Sequence, residues 1–290
     1  MVFIVPSSFR IYSFSATHEP VLRVKPDSLV AFEIRDAFDG QLDLSGEYLS
    51  NIDVVDRGRI NPATGPIWIE GAKPGHTIEV EVLNVEVGDR GFIGRRVFRI
   101  LNDTIEANSF RIPVKPVIGV IGVAPPKGEA STMEQGDFGG NLDTQEITVG
   151  SKVLLPVWVE GGLLALGDVH ASQGDGEVSG QGLEVSAKVK VRVKLHRGRI
   201  LDKVVVDYGE NLTILASSET LEDAVDEVLD AAKKLLQKAF KIDGQTALTL
   251  LSLASNLGIS QIVNPKKTVK IKIPKNAFPI DLGILLNEYG

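Results

Sequence analysis

The chain is expected to fold as a mainly β protein (α+β), with β-sandwich or barrel-like sheets and a helical pair inserted late. Three observations carry that expectation. Apolar residues recur at every second position over two long stretches of the first two hundred residues. Clusters of Pro, Gly, Asn and Asp punctuate the same region at short intervals. Beyond residue 217 the apolar spacing changes from two to three or four, the period of a helix.

Taken in order, short strands are expected at 21–24, 29–35 and 66–70, separated by the turn clusters "VKPDS", "NPATGP" and "AKPG". The stretch "HTIEVEVLNVEV" (76–87) sets Ile78, Val80 and Val82 against Thr77, Glu79 and Glu81, as a half-buried strand requires. Further strands are expected at 96–100, 117–123 and 153–159. A long one over 183–195 carries Val185, Ala187, Val189, Val191 and Val193 on one face. Residues 218–240 then place Leu221, Val225, Val228, Leu229, Ala232, Leu235, Leu236 and Ala239 at helical spacing, with Thr220 and Asp223 positioned to cap the start. A second helix is expected over 244–257, capped by Asp243 and stopped by Gly258, and a strand follows at 268–274. The proline-punctuated "RIPVKPVIG" places a division near residue 115. It separates an N-terminal β-rich domain (1–115) from a second (116–290) that carries an acidic glycine-rich loop and the helical pair, about 218–257.

Composition narrows the function. With 290 residues the chain buries a sizeable core. Its net charge of -7 and lack of a Lys/Arg-rich block exclude nucleic acid as a partner, because phosphate binding needs clustered cations. Zero cysteines exclude disulfides, thiolate metal sites and a cysteine nucleophile together. The opening "MVFIVPSSF" does not read as a secretory signal, and no apolar run approaches the ~20 residues of a membrane span. A soluble, cytoplasmic protein with no membrane partner is expected.

One stretch departs from ordinary scaffold. "GDVHASQGDGEVSG" (167–180) places Asp168, His170, Gln173, Asp175 and Glu177 among four glycines, directly after a buried apolar run. On a strand, Asp168 and His170 share a face roughly 6–7 Å apart, near enough to converge on a metal or a water. Imidazole with carboxylates suits zinc or a similar divalent ion; the alternative is a solvated acidic hairpin, with or without a structural calcium. "GGNLDTQE" (139–146) offers Asn141 and Asp143, which also fit a self-capping Asx turn. "EIRDAFDGQ" (33–41) ends a strand in Asp36, either a working carboxylate or the partner of Arg35. There is no P-loop, no GxGxxG followed by a helix and no GxSxG elbow.

In combination these strings resemble the acetamidase/formamidase family. "INPATGPIWIEGAKPG", "GGNLDT", "LPVWVEGGLLALGDVHASQGDGEVSGQGLEV" and "ALTLLSLASNLGISQIVNPKK" occur in the family's order, from about residue 18 to 275. The resemblance implies hydrolysis of small aliphatic amides to carboxylate and ammonia, in a β-rich fold that self-associates, expected here as a dimer. Matching polar positions are Asp36, Asn141, Asp143, Asp168, His170, Gln173, Asp175 and Glu177. The chain departs from the family's "HxGNxD" by carrying Phe138 at the histidine position.

Without cysteine, a metal-activated water is the economical way to attack an unactivated amide. On that reading Asp143, Asp168 and His170 hold a divalent ion, zinc first, with calcium or manganese as alternatives. Glu177 is the proton shuttle; Asp36 and Asp175 are further catalytic carboxylates. Asn141 and Gln173 bind the substrate carboxamide. The competing class is a non-catalytic β-rich module with a structural calcium or a bound small molecule. His170 argues against it, since calcium sites seldom recruit imidazole.

Overall fold

The computed structural model describes residues 1–198 and 202–287. Most of the chain is β, as the alternating pattern predicts, and two large sheets carry it. The nine-stranded sheet runs in the order Val2–Val5, Ser28–Ile34, Ala187–His196, Thr77–Val87, Lys152–Pro156, Val205–Tyr208, Asn211–Ser218, Lys267–Pro274, Asn256–Gln261. The second sheet has twelve strands, with Glu184–Val185, Leu164–His170, Val117–Gly122 and Gly139–Asn141 side by side near its middle. Residue 115 is no sheet boundary: strands from both sides of it alternate in each large sheet.

One apolar cluster draws on both sheets. Phe32, Val80, Val82, Val189, Val191 and Val193 come from the first; Ile118, Ile121, Leu164, Leu166 and Val185 come from the second. The expected strand over 183–195 is therefore split. Its first pair, Glu184–Val185, belongs to the twelve-stranded sheet and Ala187–His196 to the other, so the chain changes sheets at Ser186. Alternation alone cannot show such a crossing, because Val185 is buried on either side of it.

The helical pair covers the outer face of the nine-stranded sheet. Helix α1 (Leu221–Phe240) buries Ala224, Val228, Ala231, Ala232, Leu235 and Leu236 against Leu212, Ile214, Ala216, Val269 and Ile271. Thr220 caps its start by accepting the Asp223 N–H at 3.1 Å. Helix α2 (Gly244–Ala254), capped by Asp243, ends three residues earlier than the sequence suggests. Ser255 is already extended, and Asn256–Gln261 becomes the edge strand, with Leu257 opposite Ile271 and Ile259 opposite Val269. Gly258 lies within that strand instead of stopping a helix. Ladder pairing with the next strand outweighs the local helical pattern.

Candidate active site

Sheet register assembles the site. The Leu164–His170 strand lies between Val117–Gly122 on one side and, on the other, first Ala63–Ile69 and then Glu184–Val185. Asp168 sits where that second partner changes: Gly167 faces Ala63, while Val169 faces Val185. Its φ of 50° breaks the regular strand there. His170 is paired with Glu184, and two strands across, Asn141 is paired with Val120. Between them Gly119 leaves the space the carboxylates occupy; a Cβ there would come within 2.6 Å of Asp143 Oδ1 and 2.7 Å of the Asp168 carbonyl.

Asp143, Asp168 and His170 are all buried, and one ligand atom of each lies within 4.8 Å of the other two. Each side chain is anchored at one polar atom and free at another. Asn264 donates to Asp143 Oδ2 at 2.6 Å, and Asn61 donates to Asp168 Oδ2 at 3.1 Å. Gln173 Oε1 lies 2.8 Å from His170 Nδ1, an arrangement that places a proton on Nδ1 and turns Nε2 towards Asp168 and Glu184. The remaining atoms, Asp143 Oδ1, Asp168 Oδ1 and His170 Nε2, are buried without a hydrogen-bond partner. Orphaned buried atoms are costly. Here they converge, and two carboxylates with one neutral imidazole form a donor set that fits a divalent ion of the zinc type.

Two further acids complete the cluster. Glu184, absent from the sequence-based candidates, is buried with Oε2 3.4 Å from His170 Nε2. Glu177 is buried in left-handed backbone, φ 47°, as is Asp143 at 44°. Non-glycine residues enter that region at a cost, and such strain concentrates at functional sites. Four carboxylates thus face one imidazole. Burial pushes Glu177 up to about 7 and Glu184 up to about 8, and neighbouring Asp168 adds to both. Burial and the carboxylates of Glu177 and Asp168 raise Asp143 well above the usual range. Burial opposes charge on His170, but Glu184 and Asp168 outweigh it and raise its pKa.

Asp143 and Asp168 line a cavity of about 400 Å³ together with Glu177, Glu184, Asn61, Asn141 and Asn264. Asn141 Oδ1 is a second kind of orphan there, a buried acceptor without a donor. Three of the expected residues are occupied elsewhere. Gln173 is engaged at both ends, since its Nε2 donates to the Asp143 carbonyl at 2.7 Å while Oε1 meets His170; it braces the cluster. Asp175 is held by Lys270, which is buried between it and Glu146, so it lies in a separate ion-pair network. Asp36 Oδ1 accepts the N–H groups of Phe38 at 2.9 Å and Gly40 at 3.2 Å; it builds a turn and is not among the clustered acids. Phe138, at the family's histidine position, packs on Phe14 in the core with ring centroids 5.6 Å apart.

Asn61 and Asn264 escaped the sequence reading because each acts from more than a hundred residues away. Their only signal is a place in the quoted strings "INPATGP" and "QIVNPKK". No helix among the described residues is long and apolar enough to cross a membrane.

The chain has known relatives. Formamidase from Methylophilus methylotrophus is 26% identical over a match covering 60% of this chain and 61% of that protein, so the chain spans about three fifths of that relative. An acetamidase from Bacillus halodurans superposes with a TM-score of 0.91 at 32% identity, over 96% of this chain and 99% of the other. A predicted acetamidase/formamidase from Thermoanaerobacter tengcongensis gives 0.93 at 35% identity, over 97% and 99%. The defining pattern of the Acetamidase/Formamidase family matches residues 15–103 and 126–280, and the chain belongs to that family.

Proposed function

We propose that the protein hydrolyses small aliphatic amides, of the formamide and acetamide type, to carboxylate and ammonia. The observation that carries this reading is the convergence of unpartnered Asp143 Oδ1, Asp168 Oδ1 and His170 Nε2 beside a cavity that the two aspartates line, in a chain of this family. A divalent ion held by those three, zinc in preference to manganese or calcium, supplies Lewis acidity that polarises a carbonyl and lowers the pKa of water towards ~7.

The chain's own residues supply the rest. Glu177, with a pKa near 7, takes a proton from the attacking water and returns one to the departing nitrogen. As the carbon–oxygen bond forms and the carbon–nitrogen bond breaks, ammonia leaves, and the carboxylic acid gives its remaining proton to ammonia or water and is released as carboxylate. Asn141 Oδ1 accepts an N–H of the substrate amide and so fixes which face is presented. Gln173 holds the His170 tautomer, and Asn61 and Asn264 hold the two aspartates. Self-association as a homodimer is supported by exposed Leu253, Leu257, Ile259 and Ile262 on α2 and the adjoining edge strand.

The test is ammonia release from formamide, acetamide and propionamide before and after chelation, with Zn²⁺, Mn²⁺ or Ca²⁺ added back. Loss to chelator and recovery with one ion is expected, and Glu177→Gln then lowers kcat about 10²-fold with metal content unchanged. Activity in protein shown to be free of metal would sink the Lewis-acid reading. Tight metal binding with silence on every amide would favour a non-catalytic binding module.

A further inference from the structure

The cavity is larger than a formamide or acetamide site needs. At about 30 Å³ per non-hydrogen atom, a four-atom amide fills roughly 100 Å³, whereas the cavity holds about 400 Å³. Its lining is also mixed. Beside the acids and amides it includes the apolar side chains of Ala37, Phe38, Ile52, Ile60 and Met133, the first four of them joined in one small cluster.

That apolar wall is built, not incidental. Ala37, Phe38, Leu42, Leu49, Phe92 and Val97 form their own small core beside the site, and Ile52 and Ile60 pack against it. Phe38 lies on Phe92 with ring centroids 5.6 Å apart. The segment carrying Ile52 and Ile60 is stitched in place by Gln41, whose Oε1 accepts the Asp56 N–H at 2.8 Å and whose Nε2 donates to the Asp56 and Arg59 carbonyls at 3.2 Å each. Phe38 itself is delivered by the turn that Asp36 caps. A methyl substituent would leave most of this wall uncovered. A longer acyl chain would cover it and displace water from apolar surface.

We propose that the preferred substrates are primary amides whose acyl group carries an apolar chain of several carbons or a ring, seated against Phe38, Ile52, Ile60 and Met133. This rests on the amide-hydrolysis reading and extends its substrate class from formamide and acetamide to longer acyl groups. Arg57, whose guanidinium carbon lies 5.8 Å from the Phe38 ring centroid, borders the same wall. It marks the rival class, acyl chains ending in a carboxylate.

The experiment measures kcat/KM for ammonia release by the purified, metal-loaded protein on acetamide, butyramide, hexanamide, benzamide and succinamic acid. Each buried methylene adds up to about fourfold, so kcat/KM should rise at least tenfold from acetamide to hexanamide. Ile52→Trp, which crowds the apolar wall, should lower the hexanamide-to-acetamide ratio about tenfold. A flat or falling series with acetamide still cleaved overturns this inference alone. Preference for succinamic acid over hexanamide overturns it in favour of Arg57. Failure to cleave any of the five removes the amidase reading, and this inference with it.

Discussion

Asp39 and Asp143 are both buried, both in left-handed backbone (φ 58° and 44°), and their carboxyl groups are driven in opposite directions. Around Asp39 the chain gathers partners. Its Oδ2 accepts from Tyr12 at 2.9 Å, Arg10 at 3.0 Å and Arg59 at 3.1 Å, and Arg10 Nε lies 2.7 Å from Oδ1. Burial alone would raise this carboxyl, but the bonds from Arg59, Tyr12 and Arg10 prevail and lower it. Around Asp143 the neighbours are Glu177 and Asp168, and the shift is upward. Desolvation acts the same way on both; the companion charges decide. A buried acid kept for structure is neutralised within the fold. One left among other acids is where a cation supplied from outside the fold could bind.

The strongest way to break that comparison is Asp168→Asn. It removes one of three converging donors and one of four crowded carboxyl groups. Turnover should fall on the order of 10³-fold or more, several kcal/mol of catalytic stabilisation, and ion binding should weaken with it. In chelated protein the same substitution should raise Tm, because relief of like-charge repulsion no longer competes with lost ligation. A lower Tm in the metal-free state would show that Asp168 is structural in the way Asp39 is.

Asp39→Asn is the converse and should act on stability. Arg10 and Arg59 would lose their counter-charge. Fully buried pairs broken in this way cost 3–5 kcal/mol. These guanidinium groups are partly solvated, with side chains 20% and 44% exposed, so about 2 kcal/mol is expected from denaturant unfolding. A substantial drop in kcat with stability intact would contradict the division between the two regions.

The fold and the site were legible in the sequence to different depths, and for one reason. Features encoded locally came through: the alternation of Ile78, Val80 and Val82, the spacing along α1, and the closeness of Asp168 to His170. Features created by register did not. Glu184 reads as an ordinary strand residue until its neighbour proves to be His170. Gln173 and Asp175 sit beside members of the buried cluster in the chain, yet one serves as a brace and the other meets Lys270. The "GGNLDT" turn was readable as self-capping or functional, and only the sheet order brings Asp143 to Asp168.

A finer test uses pH, because the two kinds of acid give slopes of opposite sign. Glu79 belongs with Asp39: burial raises it, but His196 and Lys194 prevail and bring it down to about 2 from an ordinary 4.5. Such depressed groups add stability above the unfolded pKa, and that stability is lost as pH falls from about 4.5 towards 2. Glu177 and Glu184, raised to about 7 and 8, act in reverse. Between pH 4.5 and 8 the folded state holds protons that the unfolded state has released, so stability declines as pH rises. His170, also raised, stabilises below its ordinary 6.5 and loses that contribution at higher pH, in the same direction. Chelated protein should therefore show its highest Tm near pH 5 by calorimetry, falling by a few degrees on either side, whereas added metal should flatten the limb above pH 5 alone. The metal acts there because it replaces protons as the partner of the crowded carboxylates. A Tm that climbs steadily from pH 5 to 8 in chelated protein would mean that these acids are already neutralised within the fold, and that the Asp143 cluster is a second Asp39.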